Sequence, residues 1–491
     1  MRNPGTGRKG ASAFRTVVES RVERVHTVRA GGADGRRVRL SGYDLLTGPW
    51  YTPLTFFYRD TLDGAALRDS LARTLRRYPL LAGRLERDVD GGLSVVCNDA
   101  GVRFTEASCP DPMRDYGHGL RAAPVIGSLL REVSAFGVIG RDTPLLKVRL
   151  TQMRGGGSVL GVLINHSLAD GGSTVAFLES WSREHLGLAW DGPSHDRAVL
   201  DALGRPSPDP ATRQGRAFLG VGRLRHLTTT LRAGSNKLAT VTTRFTAAEL
   251  AALKAEARRT LPEPGAWAST NDALTAHLWQ VLAELRARPA DVTEWLGLIV
   301  GVQHRLGGAL PASYWGNCVS NSWTSRTAGR LRAAPLGALA REVRNCLESN
   351  TEDKIRDEIA FLNSYRRKGV SRHVMSVRAP DVATAAVSVN NWSQFPLYRI
   401  DLGAGRPFWY EFPDLPIPTV HIAPTPEEDG GRDVYLCLPE ADAARVGTAP
   451  WRERLHAWNG SAGQVSTGRD GSAGTGSDED RRDEGAVVGK E

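Results

Sequence analysis

Along the chain, apolar positions switch repeatedly between a two-residue and a three-to-four-residue period, the pattern of strands interleaved with helices. Leu54 to Tyr58 reads as a strand, and Leu67, Leu71 and Leu75 mark one face of a helix that stops at Tyr78-Pro79. Leu85 to Val89 and Leu93 to Cys97 flank Asp90-Gly91-Gly92 as a hairpin. A second hairpin is predicted where Leu145 to Leu150 and Ser158 to Ile164 meet across Gly155-Gly156-Gly157, its second strand ending at Asn165. After Gly171-Gly172, Ser173 is placed to cap a helix on which Phe177, Leu178 and Trp181 recur at helical spacing.

Residues 190–236 are rich in Pro, Arg and Gly with little periodicity, and read as a long crossover between two halves. The second half restarts with a strand at Leu238 to Phe245, then a helix whose Thr246 and Glu249 form a capping-box pattern. A helix from Asn271, an apolar strand at Trp295 to Val302, two helices between about 335 and 368 and a strand-rich stretch over 384–438 follow. No repeat period of about 20–50 residues is visible. The expected organisation is a disordered start (1–14), a first domain (15–189), the crossover (190–236), a second domain (237–458) and a disordered tail (459–491) in which Gly, Ser and charges replace apolar residues.

A length of 491 residues exceeds what one hydrophobic core usually supports, in keeping with two domains. The composition, 41% hydrophobic and 24% charged, is that of a soluble globular protein, and no stretch approaches the roughly 18 consecutive apolar residues of a membrane helix. The N-terminal stretch is basic without an apolar core, which argues against a hydrophobic secretion signal. Five cysteines without CxxC spacing argue against a disulfide framework or zinc site and fit a reducing cytoplasm. The net charge of +9 comes mostly from dispersed arginine, which points to an anionic small molecule rather than nucleic acid, or to nothing beyond a solvated surface.

Two motifs compete for attention. Gly5-Thr6-Gly7-Arg8-Lys9-Gly10 matches a dinucleotide glycine pattern, but no strand precedes it. The stretch INHSLADGGS, residues 164–173, instead sets His166 and Asp170 in a strand-to-helix loop at the mouth of a buried strand. Taken alone, His166 reads as a satisfied core histidine or as a base, and Asp170 as an orienter or as part of a helix-capping turn. There is no nucleophile elbow, no phosphate loop and no metal-spaced histidine pair.

Further blocks decide between these readings. With the His166/Asp170 motif and Asp401-Leu402-Gly403-Ala404-Gly405, the stretches RYPLLAGRL (77–85), STNDALTAHLWQ (269–280) and YWGN (314–317) occur in an order that resembles the HxxxD, or BAHD, acyl-CoA acyltransferases within the chloramphenicol acetyltransferase-like superfamily. The resemblance spans about 38–446. It implies an α/β fold of two chloramphenicol-acetyltransferase-like domains, each a mixed sheet flanked by helices, with a solvent channel between them. It also implies an acyl-CoA co-substrate, no permanently bound cofactor, no metal, and no nucleic-acid or membrane partner, in a cytoplasmic monomer.

The activity implied is acyl transfer from acyl-CoA to a hydroxyl of a small acceptor. His166 would be the general base, without a covalent intermediate, because a thioester is already activated. Asn390 and Trp392, two apart on a strand, are the expected oxyanion donors, although Trp392 reads equally as core. Asp170 is expected to turn from the cleft and pair with Arg305, pinning the loop with Gly171. Asp401, Gly403 and Gly405 are expected to support the fold away from the reacting atoms. Ser269 and Thr270, at a helix N-terminus, are candidates for a CoA phosphate, with Arg258 or Arg259 assisting, or else an ordinary cap.

The chain departs from the family pattern at Ala404 and Leu402, where tryptophan and phenylalanine are usual, at Gln303 and at Asn390. Three alternatives accompany the leading reading: N-acylation of an amine, carrier-protein-dependent condensation, and a non-catalytic ligand-binding relative. Against condensation, Asn165 precedes His166 where that class doubles the histidine. Against a non-catalytic role stand the intact His166, Gly171 and Tyr314–Asn317.

Overall fold

The computed structural model describes residues 20–114, 137–222, 224–225, 228–229, 237–263, 265–378, 386–412 and 418–459. The expected disordered start and the glycine pattern at 5–10 lie outside these residues, as does the tail from 460. Two six-stranded sheets, each with its own apolar core, organise the rest. The first runs in the order Arg21–Val28, Val102–Pro112, Leu146–Arg154, Ser158–Asn165, Tyr51–Tyr58, Trp409–Glu411. The second runs Leu238–Phe245, Arg432–Pro439, Thr419–Pro424, Val387–Asn391, Thr293–Gly301, Val319–Thr327. Both mix parallel and antiparallel pairs, and helices flank them, so the α/β class with two like lobes holds.

Apolar runs that alternate poorly became central strands. Tyr51–Tyr58 and Ser158–Asn165 are buried at every position because they pair with each other and are covered on both faces. The predicted hairpins form at Arg84–Arg87 with Leu93–Val96 and at Leu146–Arg154 with Ser158–Asn165. The strand Leu238–Phe245 lies where expected, and Thr246 caps the next helix by accepting from the Glu249 N–H. The Glu249 carboxylate does not close the capping box, because it meets His456 Nδ1 at 2.8 Å instead.

The division into halves needs correcting in two places. Trp409–Glu411, from the second half, pairs antiparallel with Tyr51–Tyr58 at the edge of the first sheet, and Trp392, Phe395, Leu402 and Phe412 belong to the first core. Conversely Tyr43 belongs to the second core. The described residues of the crossover also form regular elements. Helices Arg197–Ala202 and Pro210–Gln214, capped by Asp196 and Asp209, precede a short strand Phe218–Gly220 that pairs with Val374–Ser376. No helix among the described residues is long and apolar enough to cross a membrane.

Candidate active site

The strand Ser158–Asn165 delivers His166 to the seam between the lobes. Asn165 ends it by donating from Nδ2 to Pro49 O (2.8 Å) while its Oδ1 accepts from Ser167 N (3.2 Å), which turns the chain out of the sheet. The His166 backbone is then held on three sides. Its N–H donates to Trp50 O (2.7 Å), and its carbonyl accepts from Thr47 Oγ1 (3.0 Å) and Asn317 Nδ2 (2.8 Å). Trp50 packs beside the imidazole, 4.7 Å between ring centroids.

His166 is partly exposed although Ser167, Leu168 and Ala169 after it are buried. Its Nδ1 is covered and has no hydrogen-bond partner among the described residues. Burial holds the imidazole below its ordinary value near 6.5; its own carbonyl, Asp170, Asn317 and Asp44 pull the other way without reversing this. The ring is therefore neutral at physiological pH and able to accept a proton.

Asp170, not Ser173, caps the helix Gly171–His185. Its Oδ1 accepts from Ser173 N (2.9 Å) and its Oδ2 from Cys318 N (2.9 Å), so one carboxylate ties the histidine loop to its own helix and to the second lobe. Desolvation raises its pKa, and these two amides oppose that rise. The expected pairing with Arg305 does not form. Arg305 donates to Asn350 O (3.3 Å), and the charges acting on it are Arg344 and Glu348. With both carboxylate oxygens filled by amide donors, Asp170 needs no cation.

The turn Tyr314–Cys318 receives the loop. Trp315 Nε1 donates to Ser173 O (2.7 Å), and Ser173 Oγ lies 2.8 Å from Gly316 O and 3.0 Å from Gly316 N. Asn317 also donates from Nδ2 to Asp44 Oδ1 (2.9 Å). Asp44, wholly buried, accepts from Arg197 Nε at 3.2 Å; Arg197, buried too, donates from Nη2 to Leu168 O (2.8 Å) and from Nη1 to Trp315 O. Desolvation lowers the Arg197 pKa, but Asp44 and other acidic neighbours outweigh it, so the guanidinium stays charged.

Asn390 and Trp392 do lie at this place, in different roles. The Trp392 indole N–H donates to Asn390 Oδ1 (2.9 Å), so Asn390 Oδ1 is engaged and its Nδ2 faces elsewhere, on a partly exposed side chain. An indole N–H can only donate, so Trp392 has none left for an oxyanion and orients Asn390 instead. The indole lies against the histidine loop: a Cβ on Gly171 would meet its ring atoms at 2.5 to 2.7 Å, which is why glycine stands there.

Asp401-Leu402-Gly403-Ala404-Gly405 lies at the other end of the same helix. Asp401 Oδ1 accepts from Gly403 N (2.9 Å), the Asp401 carbonyl accepts from Ser182 Oγ (2.6 Å), and Gly403 (φ +89°) leaves only 2.8 Å between a would-be Cβ and His185 Nε2. The helix is 15 residues long, so its two ends stand about 21 Å apart at 1.5 Å per residue. Gly405 also has positive φ, and Ala404 and buried Leu402 pack against the first core.

Ser269 and Thr270 lie elsewhere. Ser269 is buried and closes a capping box with Asp272, whose carboxylate accepts from Ser269 N and pairs with Arg344. The helix start packs behind the second sheet, where Asn271 Oδ1 accepts from Asn391 Nδ2, on the face opposite Asn390. An anion there would meet a carboxylate, so a CoA phosphate is not expected. Arg259 is paired with Glu256 at the surface. Sequence reasoning passed over Asp44, Arg197, Trp50 and Thr47. Ser41-Gly42-Tyr43-Asp44 carries a capping-box spacing that forms in the structure, whereas Arg197 lacked any local signal. No cluster of metal ligands occurs among the described residues.

A family model described as "Transferase family" matches residues 29–448. The chain belongs to the BAHD acyltransferases. Enzymes of this family are acyl-CoA-dependent acyltransferases that take the thioester as co-substrate and hold no permanent cofactor, and this BAHD chain is one of them. It is 26% identical over 437 residues to "Tryptamine hydroxycinnamoyltransferase 2" of Oryza sativa subsp. japonica, covering 86% of this chain and 95% of that one. It is likewise 26% identical to "Shikimate O-hydroxycinnamoyltransferase" of Nicotiana tabacum, covering 82% and 92%. Among solved structures, TRI101 of F. sporotrichioides complexed with coenzyme A and T-2 shares the BAHD chain's fold (TM-score 0.67, 17% identity, 85% and 98% covered). So does vinorine synthase (TM-score 0.65, 19% identity, 89% and 98% covered).

Proposed function

We propose that this enzyme transfers an acyl group from acyl-CoA to a hydroxyl of a small-molecule acceptor, with His166 as general base and no acyl-enzyme. The acceptor oxygen attacks the thioester carbonyl as its proton passes to the imidazole. The carbonyl oxygen takes up negative charge opposite the Asn390 amide, and the tetrahedral intermediate then collapses. The C–S bond breaks, and the proton leaves with the CoA thiol. The observation carrying this reading is the neutral, partly open imidazole held by both lobes, in a loop whose Gly171 lies against the indole that orients the Asn390 amide.

Hydroxyl acceptors are favoured over amines by the state of the nearby acids. Asp44 and Asp170, the two carboxylates acting on His166, are already filled by N–H donors, which leaves neither to receive an ammonium group. Amine acylation stays the second reading, since relatives named for tryptamine and agmatine stand beside one named for shikimate. All the residues invoked come from one chain, which suits a monomer, and five scattered, buried cysteines suit a reducing cytoplasm.

Purified protein incubated with acetyl-CoA and aromatic acyl-CoAs against panels of alcohols and amines, with free thiol followed over time, tests this. Acceptor-dependent thiol release that disappears in His166→Ala is expected. Release persisting in that variant removes His166 as base, and turnover confined to amines overturns the hydroxyl assignment.

A further inference from the structure

The second sheet offers one face to the seam, and a tryptophan lying on a glycine stands on it. In the edge strand Val319–Thr327, Ser320, Ser322 and Thr324 hydrogen-bond to Glu358, Asn350 and Glu342 of the two helices behind and their connection, so Val319, Asn321 and Trp323 point the other way. All three are partly exposed. Asn390 lies on that same open face: Ile299 pairs with Asn390 on one side and Asn321 on the other, and the next row along the strands is Ser388, Gly297 and Trp323.

Trp323 lies flat across Gly297. A Cβ there would come within 2.5 to 2.9 Å of the six-membered part of the indole, so the ring rests on bare backbone. Its Nε1 is buried and finds no acceptor among the described residues, so no hydrogen bond there accounts for the ring's place. One row along a strand and one strand across, the ring stands about 8 Å from the Asn390 position.

We infer that the Trp323 ring, seated on Gly297, is a stacking platform that selects acyl-CoA donors with an aromatic acyl group. This rests on the acyl-transfer reading above. If Asn390 holds the carbonyl oxygen, the acyl substituent continues from that carbon toward the next row. A planar ring on a short spacer then meets Trp323, whereas the acceptor must reach the carbonyl from the His166 side. An acetyl group ends before the platform.

The experiment compares cinnamoyl-CoA with acetyl-CoA, one acceptor held fixed, in the wild type, Trp323→Ala, Trp323→Phe and Gly297→Ala, with thermal melting to establish that each folds. For Trp323→Ala, kcat/KM with cinnamoyl-CoA is expected to fall about tenfold, mostly in KM, while acetyl-CoA changes less than about twofold. Trp323→Phe should recover most of the loss, and Gly297→Ala, which lifts the ring, should reproduce it. Calorimetry without acceptor supplies a reading independent of turnover: cinnamoyl-CoA should bind more tightly than free CoA to the wild type, and that difference should vanish in Trp323→Ala.

Equal losses for both donors, no loss, or a loss that follows the acceptor's ring would each overturn the platform while leaving acyl transfer intact. Absence of turnover with every acyl-CoA would instead count against the acyl-transfer reading, and the calorimetric comparison would still decide the platform.

Discussion

In the proposed reaction His166 is the base, and its environment sets a pH signature. Because burial lowers its pKa, the unprotonated base persists to more acidic pH than in a free histidine. Hence kcat/KM should rise with pH and level off with an inflection below about 6.5; a profile still climbing above pH 7 would contradict this. Replacing His166 by Ala should lower turnover by about 10²- to 10⁴-fold. Asn390→Ala should cost about 10²-fold in kcat with donor KM nearly unchanged, as for loss of one oxyanion donor. The sequence spacing placed Asn390 and Trp392 on one side of a strand. It could not reveal that the indole spends its only N–H on Asn390, because that depends on side-chain torsions.

At the scale of elements, the histidine loop is held by hydrogen bonds to backbone rather than by the ion pair expected with Arg305. Asp170→Asn keeps one acceptor and turns an N–H₂ toward either Ser173 N or Cys318 N. The variant should lose roughly 1–3 kcal/mol of stability in chemical denaturation, with reduced kcat. Arg305→Ala, which removes no partner of that carboxylate, should leave kcat within about threefold. The strands and helices nearest the loop were legible because their apolar patterns are long. The strand Arg21–Val28 was not, since most of it is exposed at a sheet edge and its alternation carries little signal.

At the scale of the whole molecule, the crossover and both lobes meet on the buried Arg197–Asp44 pair. Arg197→Met would strand Asp44 without its cation, and a loss of about 3–5 kcal/mol is expected in denaturant titration. A second seam marker is His421, stacked at 4.2 Å on Phe412, which is part of the first core, and pushed down to about 3 by burial. Its folded pKa lies below the unfolded value, so the unfolded chain takes up the proton first and stability is lost as pH falls from 6.5 toward 3. Relative to His421→Phe, the wild type should lose about 2 kcal/mol between pH 7.5 and 5; parallel stability curves would show that His421 does not titrate on unfolding.

Local pattern by itself determined the α/β class and most of the strands and helices, and the ordered blocks pointed to the family. These rest on short-range periodicity, capping and turn chemistry that neighbouring residues share. Tertiary structure alone decided which atoms fill Asp170, which lobe receives Trp409–Glu411, why Ser269 faces away from the site, and that a crossover arginine locks the histidine loop. Such pairings join residues tens to hundreds of positions apart, and they are chosen by desolvation and hydrogen-bond satisfaction once the lobes close, a cost that no stretch of sequence carries locally.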